Sequence, residues 1–251
     1  MRGLRAYRVR GLAAFVAGPT HPVPVLPTPA PQAAPVVQLS DLVGAPPEEV
    51  TDRVSRLQVV FAVDDSGSTQ GPHGTDPHGA RYAACYSVLD LMRRYQGGRV
   101  GVVHWGDRAP AELALAPVPV RRRRRQVERA LAIRPQLGGT DPGVALARVR
   151  QLVTSITPDE TLAVLLLTDG QDRGPSLPEE LAQLPPGSVH LVLVDSSGDC
   201  WGQEAAWRAL PWGSFTRLDT FDTTHLAIAS GTALAHAVGL ELPTDPTNFQ
   251  K

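Results

Sequence analysis

The sequence predicts an α/β protein: a doubly wound, mostly parallel sheet with helices on both faces and one antiparallel edge strand. Three observations carry this. Short apolar runs rich in β-branched residues recur along the chain, as in strands covered on both faces. Segments with helical spacing of apolar residues alternate with them. Several of the runs stop abruptly at a carboxylate or a small polar residue, as strands do where they reach a ligand-binding rim.

The elements follow in order. LQVVFAV (57–63) reads as the first buried strand. Residues 80–95 place Ala80, Ala84, Val88, Leu91, Met92 and Tyr95 at helical spacing. RVGVVHW (99–105) is the next strand, and AELALAPV (111–118) is a weaker one whose prolines suit an edge. Residues 121–132 are helical, as is GVALARVRQLV (143–153), with Pro142 near its first turn. TLAVLLLTDG (161–170) and SVHLVLVDSSG (188–198) are further buried strands. Helical text at 202–210, a short strand at 214–218 and a helix at 224–238 complete the series. The expected domain is 54–240, preceded by a disordered basic leader and proline-rich linker over 1–53 and followed by a tail over 241–251.

Composition supports one globular core. The chain has 251 residues, 42% hydrophobic and 20% charged, enough for a sizeable domain. A formal net charge of -1 gives no global field favouring nucleic acid or acidic membranes. Lys251 is the only lysine, so arginine supplies nearly all the cations. The two cysteines, Cys85 and Cys200, form neither a disulfide framework nor a C-x-x-C pair. MRGLRAYRVR followed by GLAAFVAG sketches a weak signal peptide, so a secreted location stands as the alternative to the cytoplasmic one expected here. PTHPVPVLPTPAPQAAP (19–35) favours extended polyproline II, the conformation of a linker.

Three segments at expected strand ends carry matching chemistry: D-D-S-G-S with Asp64, Ser66 and Ser68, GGTDPG (138–143) with Thr140, and LLLTDG (165–170) with Asp169. All five side chains offer oxygen, and none offers nitrogen or sulfur. Such a hard set suits Mg2+, with Mn2+ and Ca2+ as alternatives. Gly67, Gly138, Gly139 and Gly170 would let the backbone turn tightly around it. Turn formers and helix caps explain each segment separately, but not their joint order.

DxSxS, a Thr after a glycine pair, and T-D-G closing a buried strand together resemble the von Willebrand factor A (vWA) family, a Rossmann-like fold. The resemblance covers roughly residues 56–240, including V-G-V-V-H-W-G-D (100–107). It implies a complete metal-ion-dependent adhesion site (MIDAS). Ser66 and Ser68 would bind the metal directly, Asp64 and Asp169 directly or through water, and Thr140 directly in one state. A cation facing mainly neutral hydroxyls stays electron-poor and accepts a partner's Asp or Glu. The implied function is a metal-dependent protein-binding module without enzymatic activity. By resemblance, the partner would be an AAA+ ATPase or a bacterial stress or defence complex, and the alternative is a secreted or surface adhesion protein.

Asp65 departs from the family pattern, which often has a neutral residue there. It is expected to point away from the rim and cap the following turn. QGPHGTDPHG (70–79) is longer than usual, and His73, Asp76 and His78 read as incidental loop residues rather than an auxiliary metal site. RRRRR (121–125) is a contact for phosphate, RNA or an acidic partner, or else a solvated helix start. Nucleic acid is disfavoured, because no aromatics interleave the arginines. His104 and His190 read as packed core histidines, and His225 and His236 are too far apart for an i, i+4 metal pair. Trp201, Trp207 and Trp212 should cover the sheet end. DSG (65–67), HGT (73–75) and SGTALAH (230–236) echo subtilisin-like segments, but the nucleophile position is Ala233, which has no hydroxyl to activate. A hydrolase is therefore the least favoured reading.

Overall fold

The computed structural model describes residues 47–70, 73–118, 121–132, 136–153, 156–196 and 202–240. The basic leader, most of the linker, the C-terminal tail, Cys200 and Trp201 lie outside the described residues.

The elements are α1 (Pro47–Ser55), β1 (Leu57–Asp64), α2 (Ala80–Arg94), β2 (Arg99–Trp105), β3 (Ala111–Pro117), α3 (Arg121–Ala132), α4 (Pro142–Leu152), β4 (Thr161–Thr168), α5 (Leu177–Ala182), β5 (Val189–Val194), α6 (Glu204–Arg208), β6 (Ser214–Leu218) and α7 (Thr223–Ala237). The six strands form one sheet in the order β3-β2-β1-β4-β5-β6. β3 runs antiparallel to β2 at one edge, and every other pairing is parallel. The fold class is the one the sequence predicts.

The sheet is covered on both sides because its strands are apolar on both faces. All eight residues of β1 are buried. Val59, Phe61 and Val63 face one core, shared with α1, α2, α3 and α7. Val60 and Ala62 face the other, shared with α4, α5 and Trp207 of α6. This is the two-residue alternation of a strand expressed in a doubly covered sheet.

That division of helices fixes where a ligand can bind. The chain leaves β1 for α2 on one face and leaves β4 for α5 on the other, although β1 and β4 are neighbours. The two connections diverge at the carboxyl ends of the central strands and open a crevice there. Asp64 closes β1, and Asp169 directly follows β4.

Two helices were not expected. α1 extends the packed unit to Pro47, and so takes in residues 47–53 that the sequence reading assigns to the leader. Val50 and Val54, one turn apart, bury in the core. Arg53 donates to the carbonyls of Val238 and Gly239 at 3.0 and 2.8 Å, tying α1 to the end of α7. α5 has six residues, too few to show a helical period. Among the described residues no helix is long and apolar enough to cross a membrane.

Candidate metal centre

β1 delivers Asp64 fully buried to the crevice. Its Oδ1 accepts the backbone N–H of Ser66 at 2.9 Å, which folds the chain back at once. Its Oδ2 accepts the hydroxyl of Thr168 at 2.6 Å, the last residue of β4. That bond crosses the crevice and places Asp169, the next residue, against Asp64. Burial first, and the Asp169 charge second, push the Asp64 carboxyl up to about 7. Two close carboxylates with so few cationic partners of their own are a site that gains from a cation.

The two serines complete the near side. Ser66 Oγ and Ser68 Oγ lie 3.0 Å apart, Ser66 buried and Ser68 half-buried. Thr69 holds their turn, its hydroxyl within donating reach of the carbonyls of Asp64 and Ser66 at 3.1 and 3.0 Å. Asp169 Oδ1 accepts the N–H of Gln171 at 3.3 Å. Gly170 permits this turn: its φ is 70°, and a Cβ there would lie 2.5 Å from Leu193 Cδ1.

The third segment is drawn in by backbone bonds. Gly67 N–H donates to Gly138 O at 2.9 Å, and Leu137 N–H donates to Asp65 O at 3.1 Å. Asp141 N–H donates to Gly106 O at 3.0 Å on the other side. Thr140, between these anchors, is half-exposed, and its hydroxyl has no protein hydrogen bond among the described residues. Asp64, Ser66 and Ser68 are thus linked directly, Asp169 joins them through its neighbour Thr168, and Thr140 sits two residues beyond a carbonyl bonded to their loop. Of the four glycines expected to bend these loops, Gly170 alone is left-handed. Gly138 instead presses on Asp107, where a Cβ would lie 2.8 Å from Oδ2.

The donor set fits a hard divalent cation. It is all oxygen, two of its members are acidic, and one hydroxyl is left unbonded.

Asp65 turns away from the rim, as expected, but it does not cap a turn. It is completely buried and receives four donors: Gln70 Nε2 at 2.6 Å, Arg81 Nη2 at 3.0 Å, the Tyr82 hydroxyl, and His104 Nδ1 at 2.5 Å. Burial alone would raise its carboxyl, but His104, Arg81 and Tyr82 outweigh it and hold the group below the usual carboxylate range. Its charge is thereby neutralised inside the protein rather than added to the rim. His104 is buried, as expected, with its Nε2 against the Ala130 carbonyl at 2.9 Å.

The loop after the serines contributes Thr75, which the sequence reading did not select, and Asp76, which it read as incidental. Asp76 is buried, accepts the N–H groups of Ala80 and Arg81 at 2.7 and 3.1 Å, and pairs with Arg81 Nη1 at 2.7 Å. It starts α2 in place of a side-chain cap at Gly79. Thr75 reaches Asp169 Oδ2, with its hydroxyl at 3.1 Å. The length of the 70–79 loop was the only signal for either. His73 and His78 are exposed, and no cluster of three His, Cys, Asp or Glu suited to a metal occurs among the described residues.

The remaining candidates are structural or exposed. His190 is buried, with Nδ1 2.9 Å from Ser214 Oγ, whereas His225 and His236 are exposed. Trp207 is buried and stacks on half-buried Trp212 at 6.2 Å, so the pair covers the sheet from within. Arg122 and Arg125 are exposed, and Arg124 pairs with Glu128 at 2.7 Å. Ala233 is packed in the core.

No family model matches the sequence, and no curated protein matches it. Solved structures do. The pilus adhesin SpaC of Lactobacillus rhamnosus GG aligns at a TM-score of 0.58 and 16% identity, over 74% of this chain and 31% of that one. Proximal thread matrix protein 1 of the mussel byssus aligns at 0.54 and 16%, over 73% of this chain and 48% of that one. A form of the same mussel protein with a zinc-occupied MIDAS motif aligns at 0.53 and 20%, over 73% and 46%. The chain thus spans a third to a half of these proteins. At such identities the likeness concerns the backbone alone, and the fold is vWA-like.

Proposed function

We propose that this chain is a metal-dependent protein-binding module. Asp64, Ser66, Ser68, Thr140 and Asp169 would hold one divalent cation, which when bound would act as a Lewis acid toward a partner's Asp or Glu carboxylate. The observation that carries the reading is the Thr168–Asp64 bond that brings the ends of β1 and β4, and with them Asp64 and Asp169, together beside two serine hydroxyls 3.0 Å apart. Asp64 and Asp169 supply the charge, the hydroxyls supply neutral donors, and Thr168 keeps Asp64 aimed into the crevice. Binding would be lost in chelator. Mg2+ is the proposed ion by hardness, and Mn2+ would substitute. Zinc remains a third candidate, suggested by the mussel protein's zinc-occupied motif. No catalytic step is assigned to the site.

The proposed setting is cytoplasmic and bacterial, with the module serving as an adaptor for an AAA+ ATPase or a stress or defence complex. The resemblance supports this setting. A surface-adhesion role is the second reading, favoured by the fold shared with a pilus adhesin. Calorimetric titration with MgCl2 and MnCl2 tests the site: the wild type should bind one ion, and the Asp64→Ala, Ser66→Ala double variant should bind none. Unchanged affinity in that variant sinks the reading. N-terminal sequencing of the mature protein separates the settings, because an intact leader contradicts export.

A further inference from the structure

We infer that Thr75 is a positioning residue of this metal site, its hydroxyl fixing the Asp169 carboxylate in the orientation that the cation requires. The inference rests on the metal-site reading above and extends it to a loop that the five-residue pattern does not include.

Thr75 joins the two halves of the crevice. Its N–H donates to Ser68 O at 2.8 Å, which anchors it to the loop after β1. Its hydroxyl is 3.1 Å from Asp169 Oδ2, on the segment after β4, and 3.2 Å from Ser68 O. One hydroxyl proton serves one acceptor at a time. Ser68 O already receives the Thr75 N–H, and Asp169 Oδ2 is the nearer of the two acceptors, so the hydroxyl proton goes to the carboxylate. The other donor to Asp169 among the described residues, the N–H of Gln171, stands farther off at 3.3 Å. Thr75 therefore sets the rotation of this carboxylate, which would otherwise swing away from Asp64.

The position of Thr75 is itself imposed. Its neighbour Asp76 donates its N–H to Thr69 O at 3.1 Å and is clamped by Arg81 at 2.7 Å. Arg81 also binds Asp65 at 3.0 Å, and both ion pairs are buried. Asp65 lies between the first two candidate ligands. One buried network thus fixes the start of the DxSxS loop and the place from which Thr75 reaches Asp169. A hydroxyl needed only for the turn would be redundant, because the backbone bond to Ser68 O already closes it.

The test uses the full chain as wild type, Thr75→Val and Thr75→Ser. Mn2+ binding is read from the electron paramagnetic resonance signal of the free ion, with Mg2+ competition. Urea unfolding of each protein in chelator gives the stability of the fold alone. Loss of a group that orients a ligand typically weakens metal binding about tenfold or more. Thr75→Val should show that loss, Thr75→Ser should recover most of it, and the urea midpoints in chelator should agree. Thr75→Ala, which should behave as Thr75→Val does, serves if the valine variant fails to fold. Wild-type affinity in the valine or alanine variant overturns the role of Thr75 while leaving the metal site standing. A wild type that binds no Mn2+ overturns both.

Discussion

Asp64 carries two loads at once. It is buried beside another carboxylate, and it is held by Thr168 and Ser66. Without a cation its carboxyl retains a proton up to about pH 7. A metal ion requires the ionised form, so uptake must displace that proton. Metal affinity should therefore rise as pH increases through about 7 and flatten above it. Titrations in buffers of different ionisation enthalpy should report proton release near neutrality. Affinity independent of pH between 5 and 8 would contradict the coupling, since with its carboxyl at about 7 most of the Asp64 population would give up its proton across that interval. Asp65, one residue on, illustrates the opposite environment. Four donors keep it ionised in an equally buried place, which is how two adjacent aspartates come to differ.

At the scale of elements, the rim depends on how helices begin. α4 starts with Asp141 as its cap, accepting Gly143 N–H at 3.0 Å, with Pro142 in the first turn. Thr140 immediately precedes that cap, so helix start and candidate ligand share one backbone path. Asp141→Ala should cost about 1 kcal/mol of stability, the usual value of such a cap. It should also weaken metal binding, because the side-chain bond that fixes the backbone just after Thr140 is lost while the Asp141 N–H bond to Gly106 O remains. Urea denaturation paired with Mn2+ titration checks both effects, and a stable variant with unchanged affinity would free Thr140 from this dependence. α2 begins differently. Gly79 offers no side chain, and the Asp76 carboxylate three residues earlier caps the helix instead. α1 was missed although its signals are visible: Pro47 at the start, Glu48 and Glu49 in the first turn, and Val50 and Val54 one turn apart. The proline-rich text before it obscured a short helix whose core residues, among those described, are Val50 and Val54.

For the whole molecule, two buried titrations oppose each other. Asp64 has a folded pKa of about 7, above its ordinary 3.8. Its contribution is fully present below pH 3.8 and is lost as pH rises through 7. His190 is depressed from 6.5 to about 4, by burial first and His236 second. Its contribution is present above 6.5 and is lost as pH falls through 4. Over the window between, the slopes have opposite signs. In chelator, the stability of Asp64→Asn relative to the wild type should rise with pH between about 4 and 7, by about 1.4 kcal/mol per pH unit at most. Urea midpoints across that range measure it. A flat difference would mean that Asp64 is ionised in the metal-free fold.

By itself the sequence determined the order and kind of the main elements, the edge position of β3 and the placing of Asp64 and Asp169 at the ends of β1 and β4, whereas Thr140, expected at a strand end, lies between two helices. Apolar periodicity and abrupt strand stops are local signals, so they survive in one dimension. It did not show that Thr168 bridges to Asp64, that Asp65 turns inward to Arg81 and His104, or that Thr75 reaches Asp169. Each of those contacts joins residues from different elements, and their partners are set by packing. Tertiary structure decided them because β1 and β4 become neighbours only when the sheet forms, and only then do their loops face one crevice.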